Sequence, residues 1–133
     1  MIDPLEKIRD LLVADTTLNT LVSGRIYAGE AEPPNSANYT PSLGGCVTFN
    51  ATGGQTHYEN GFYEPRVQVK CWGADMQEAM TVFRTLFDAV DNQVGYAVMH
   101  GRLDSGPINL RDPQSDWPYV LSFWRMKVRN TDL

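Results

Sequence analysis

"RVQVKCWGADMQEAMTVFRTLFDAV", residues 66–90, changes its hydrophobic period in the middle. From Arg66 to Cys71 polar and apolar residues alternate, the period of a strand with one buried face. Val67, Val69 and Cys71 fall on the inner side and Arg66, Gln68 and Lys70 on the outer. After Gly73 the period becomes helical: Met76, Ala79, Met80, Phe83, Leu86, Phe87 and Val90 recur every three or four positions, with Gln77, Thr81, Arg84, Thr85 and Asp88 opposite. Asp75 with Glu78 three residues on makes an Asp version of the capping box. The stretch is therefore a strand feeding a long amphipathic helix with almost nothing between them.

Upstream, Asp3-Pro4 starts a helix carrying Leu5, Ile8, Leu11 and Leu12 on one stripe. "TTLNTLVSG" reads as a second short helix ended by Gly24, and "RIYAGE" as a short extended piece. Residues 29–44 hold three prolines and several turn formers and read as a long loop. "GCVTFNATG" reads as a strand with Val47 and Phe49 on one face, paired with "GFYEPRVQVKCW". The intervening "ATGGQTHYENG" reads as a protruding loop. Downstream, "GYAVMHGRLDSGPINL" is strand-prone but broken by glycines, "RDPQSDWP" turns, and "YVLSFWRMKVRN" closes as a strand. On that strand Val120, Trp124, Met126 and Val128 share one face, and Tyr119, Leu121 and Phe123 the other. A strand apolar on both faces is expected to be covered on both, by a helix or by another subunit.

Helix, hairpin, helix, hairpin predicts an α+β domain. Its antiparallel sheet of about four to five strands would pack against the long helix and the short N-terminal one. At 133 residues the chain reads as a single domain, 1–133, large enough to bury a core without staples.

A net charge of −5 and the lack of any Lys/Arg cluster denser than Arg125, Lys127 and Arg129 argue against a nucleic-acid-binding surface. The two cysteines, Cys46 and Cys71, both lie in strand-like runs and read as small buried hydrophobes. The opening "MIDPLEKIRD" has charges where a signal peptide needs an apolar core, and no apolar run exceeds four residues, so neither secretion nor a membrane span is expected. Catalysis needs a nucleophile with a base, paired acids or metal ligands at workable spacing. His57 and His100 sit in no ligand frame, and no nucleophile elbow or Walker lysine appears. Asp88, Asp91, Asp112 and Asp116 read as solvated. No catalytic residue, cofactor or metal is expected. His57, Tyr58, Phe62 and Tyr63 crowd one hairpin tip, a density of aromatics that points to a partner.

The order of segments resembles the small tail-completion, or tail-terminator, proteins of long-tailed phages and prophages, also called head–tail joining proteins. "MIDPLEKIRDLLVAD", "LVSGRIYAGE", "EPRVQVKCWGADMQEAMTVFRTLFDAV" and "GRLDSGPINL…DWPYVLSFWRMKV" carry the resemblance, which spans nearly the whole chain. It implies a non-enzymatic virion protein of the tail's neck region, assembled in the host cytoplasm. Such a protein forms a homo-hexameric ring on the tail tube protein, ends tube growth and docks the head–tail connector or stopper. DNA passes through the lumen without sequence-specific binding. The candidate ring interface is the tip aromatics with Tyr119, Leu121 and Phe123. The contrasting reading, a small ligand-binding or enzymatic α+β module acting as a dimer, would need a concave pocket with convergent polar groups.

Overall fold

The computed structural model describes residues 4–29, 39–57, 62–91, 98–113 and 115–129. Helix α1 (Pro4–Ala14) and the short α2 (Thr16–Leu21) lead into strand β1 (Ile26–Ala28). Strands β2 (Cys46–His57) and β3 (Phe62–Trp72) form a hairpin, α3 (Met76–Val90) follows, and β4 (Val98–Arg111) pairs with β5 (Pro118–Arg129). The five strands lie in the order β1-β2-β3-β5-β4.

The helix starts follow the sequence rules closely. Asp15 caps α2 by accepting from the Leu18 N–H, and Asp75 caps α3 by accepting from the Glu78 N–H at 2.8 Å. Glu78 in turn accepts from the Ala74 N–H at 2.9 Å, so the reciprocal box closes one residue earlier than the motif would have it. Asp3, expected to cap α1, lies outside the described residues. Gly24 ends the α2 segment with φ +75°, a conformation that disfavours L-residues.

The expected antiparallel sheet is in fact mixed, because β1 runs parallel to β2 with Ile26 beside Val47. Parallel neighbours cannot be joined by a tight turn and need a crossover of a dozen or more residues. That requirement accounts for the length of the Pro-rich connection after β1. The supposed protruding loop is a second difference. Ala51–His57 continue β2 and Phe62 onward belongs to β3, with the ladder slipping between Ala51 and Gly54. Thr-Gly-Gly looked like a strand end, but a bulge accommodates it without ending the pairing. Likewise β4 runs through its glycines, with irregular register between Leu103, Ser105 and Ile108.

One face of the sheet builds the main core. Val47, Phe49, Val67, Val69, Cys71, Val120, Trp124, Met126 and Val128 meet Ile8 and Leu12 of α1, Leu18 and Val22, and the buried side of α3. Each such side chain contributes about 1.5–3 kcal/mol on burial. On α3 the buried set is Ala79, Val82, Phe83, Leu86, Ala89 and Val90, while Met76, Met80 and Phe87 sit at the core's margin. The arc is wider than the expected stripe because α3 packs against α1 and α2 as well as the sheet. Trp124 is fully buried, and its indole N–H donates to the Ser122 hydroxyl at 3.0 Å, which explains the one buried serine on this face.

Where strand meets helix, the chain leaves no room for a side chain. A Cβ on Gly73 would stand 2.5 Å from the Ala79 backbone nitrogen and 2.9 Å from the Glu78 carbonyl carbon. The other end of α3 is pressed equally hard: a Cβ on Gly101 of β4 would reach the Val90 carbonyl oxygen at 2.8 Å. The helix is seated on the sheet over a glycine at each end.

Candidate assembly surface

The three helices send their buried apolar side chains to one face of the sheet. On the opposite face the strands present four cross-strand rows. Trp72, Tyr119 and Leu110 form the first, and Lys70, Leu121 and Ile108 the second. Gln68, Phe123 and Ser105 form the third, and Arg66, Arg125 and Arg102 the fourth.

The first row is closed off at its β3 end. Trp72 and Tyr39 are fully buried there with Cys46, against Trp117 and Tyr119. Trp72 stacks at a tilt on Tyr119 with centroids 4.7 Å apart and donates its indole N–H to the Thr48 hydroxyl at 3.0 Å. Tyr39 belongs to the Pro-rich stretch read as a long loop, yet it is a core residue. Its hydroxyl donates to the Gly44 carbonyl at 2.9 Å, and burial pushes its pKa well up. Arg25 fastens the same segment, donating from Nε to the Gly45 carbonyl at 2.8 Å and from Nη2 to the Leu43 carbonyl at 2.9 Å.

The β5 and β4 end of that row and the next two rows stay open. Tyr119, Leu121 and Phe123 share this face as expected, and each is only half-buried. Of the two expected covers for this face of β5, a helix is not the one: the helices pack on the other face. Ile108 and Leu110 extend the apolar strip onto β4 with 41% and 37% exposure. The sequence reading missed both; their alternation in "INL" was the available signal, obscured by the Gly106-Pro107 pair before it.

Cations frame the strip. The Arg66 guanidinium lies 4.2 Å from the Phe123 ring centroid and the Lys70 ammonium 5.2 Å from that of Tyr119. Three arginines in one row would repel, and Asp104 relieves this. Arg66 Nε donates to its Oδ2 at 3.1 Å and Arg125 Nε to its Oδ1 at 3.3 Å. These two hydrogen bonds, Arg66 first, hold the Asp104 carboxyl below the usual carboxylate range. Arg125 and Lys127 are exposed on this face of β5.

The tip residues stand differently. His57 pairs with Phe62 across the β2–β3 hairpin and Tyr63 with Thr56, so their backbones are strand rather than loop. Phe62 and Tyr63 also lie beside Arg129 and Val128 of β5. Tyr58 lies outside the described residues.

Carboxylates considered for chemistry do structural work or face solvent. Asp112 accepts from the Ser115 N–H and hydroxyl, both at 2.9 Å, to hold the β4–β5 turn, and Asp88 is exposed. Among the described residues no group of three His, Cys, Asp or Glu side chains could hold a metal ion, and no helix is long and apolar enough to cross a membrane. Cys46 and Cys71 are buried in the two different clusters, so they point to opposite faces of the sheet.

No protein-family model matches the chain, and no curated protein does. Among solved structures it is similar to a chain described as "Virion of native gene transfer agent (GTA) particle". The two share 17% sequence identity over 92% of this chain and 91% of the other, with a TM-score of 0.58. At that identity the likeness establishes a common fold.

Proposed function

We propose that this protein is a structural component of a phage-like virion that forms a ring at the head-proximal end of the tail tube. The ring ends tube growth and joins the tail to the head connector or stopper, with DNA passing through its lumen. The observation that carries the reading is the end-to-end match of fold, 92% of one chain against 91% of the other, to a chain of a virion particle. The order of sequence segments resembles the tail-terminator proteins over the same length. Two features of the chain fit the role. An acidic wall, net charge −5, lowers non-specific grip on a passing polyanion. A sheet face left apolar on one chain suits a protein that completes its burial by meeting copies and neighbours.

The test is deletion of the gene in its phage or prophage, followed by electron microscopy of the lysate. The expected result is full capsids alongside separate tails of irregular, overgrown length, with joining restored by the purified protein. Normal joined virions from the deletion strain would overturn the proposal.

A further inference from the structure

The open sheet face and the exposed side of α3 carry opposite charge, and we infer that the one docks onto the other between two copies of this chain, head to tail. The inference adds to the ring reading by naming the surfaces that meet, and it relies on that reading only for closure of the ring.

Among the described residues of the sheet face, Arg66, Lys70, Arg102, Arg125 and Lys127 stand against two carboxylates, Asp104 and Glu64. This basic surface belongs to a chain whose overall charge is −5, so the acidity is concentrated elsewhere. Much of it is on α3 and its caps. Asp75, Glu78, Asp88 and Asp91 are opposed there by Arg84 alone, and none of them is buried. The spans also agree. Glu78 and Asp88 are about 15 Å apart along the helix at 1.5 Å per residue. Lys70 and Arg66 are about 13 Å apart along β3 at roughly 3.3 Å per residue. Between the acidic ends α3 presents Thr81 and Thr85, short enough to lie against Leu121, Phe123 and Ile108.

Other occupants fit less well. Two sheet faces meeting symmetrically would bring together two surfaces of the same positive sign, a like-charge arrangement that costs several kcal/mol. A nucleic acid would be repelled by the acidic remainder of a chain whose net charge is −5. A sheet-to-helix contact is heterologous, and heterologous contacts close into rings when their rotation allows.

The experiment is sedimentation velocity of the full chain across a concentration series at low and high salt. The wild type is expected to self-associate at low salt and to weaken at high salt. Arg102→Glu on the sheet and Asp88→Lys on the helix each weaken association by about tenfold or more. Mixing the two variants restores it, because each then offers the surface the other has lost. Lys70→Glu repeats the sheet-side test should Arg102→Glu fold poorly by circular dichroism. A wild-type chain that stays monomeric at every concentration, a dimer indifferent to Asp88→Lys, or a mixture no better than its parts overturns the inference. A virion lacking this chain at its neck would instead defeat the proposed function and leave these measurements standing.

Discussion

Gly73→Ala tests whether the strand-to-helix join has its observed geometry because backbone touches backbone. The new methyl would stand 2.5 Å from the Ala79 nitrogen, against the roughly 3.5–4.0 Å of a relaxed contact, so α3 must retreat by about an ångström. The obstructing atoms are main chain in the first turns of a capped helix and cannot rotate aside. Overpacking of this kind costs about 1–3 kcal/mol, and a backbone obstruction belongs near the upper end. Alanine also restricts the unfolded chain, which returns about 0.4–1 kcal/mol. The balance is a loss of about 2 kcal/mol. For a domain of this size that lowers Tm by roughly 8 °C. Far-UV circular dichroism during thermal and urea unfolding measures both, and the urea m-value should stay at its wild-type figure because the surface exposed on unfolding is the same. A variant melting with the wild type would show that α3 is not pressed onto this glycine, and the account of the join would be wrong.

Asp75→Ala removes the acceptor for the Glu78 N–H and should cost about 1 kcal/mol in a urea titration. Burial raises the Cys71 pKa far above neutrality, so native protein should resist a thiol reagent at Cys71 and react fully there in denaturant; rapid labelling of the folded chain would refute its inward placement. Asp104 has a depressed pKa, so its contribution to stability is complete above its ordinary value of 3.8 and is lost as pH falls through the lower folded value. Asp104→Asn should therefore flatten the acid end of the stability–pH curve and leave its slope near neutrality unchanged. Replacing Leu121 and Phe123 together with serine should leave a folded monomer by circular dichroism while abolishing head–tail joining in a complementation assay; joining at wild-type efficiency would remove the open strip from the functional surface.

Much of this fold was legible because two periods are written plainly in the chain. The alternation of Val67, Val69 and Cys71 and the helical recurrence of Ala79, Phe83, Leu86 and Val90 named the two sides of one core, and the structure buries all of them. Tyr119, Leu121 and Phe123 were likewise legible as one strand face. What alternation does not state is what lies over a face: helices cover one side of β5 within the chain, while Tyr119, Leu121 and Phe123 on the other side stay partly exposed. The parallel pairing of β1 was hidden because three residues give no directional signal. Glycines misled twice, in Thr52–Gly54 and around Gly106, since a bulge and a strand end share the same local chemistry. Tyr39 fell within a stretch read only as a Pro-rich loop, whereas a hydrogen bond to Gly44 and a slot beside Trp72 make it a core residue.

β5 lies between β3 and β4, so the sheet is two hairpins sewn along a single seam where Val67 meets Trp124 and Val69 meets Ser122. Those partners come from distant parts of the chain, and closing so long a loop carries an entropic penalty that neither hairpin can offset by itself. Each half can take shape early, but the assembled sheet must await the arrival of its last strand, which makes folding slower than so small a molecule would otherwise allow. Until that strand is in place β3 has a naked edge and α3 lacks much of its floor, so an interrupted copy has little to offer a neighbour.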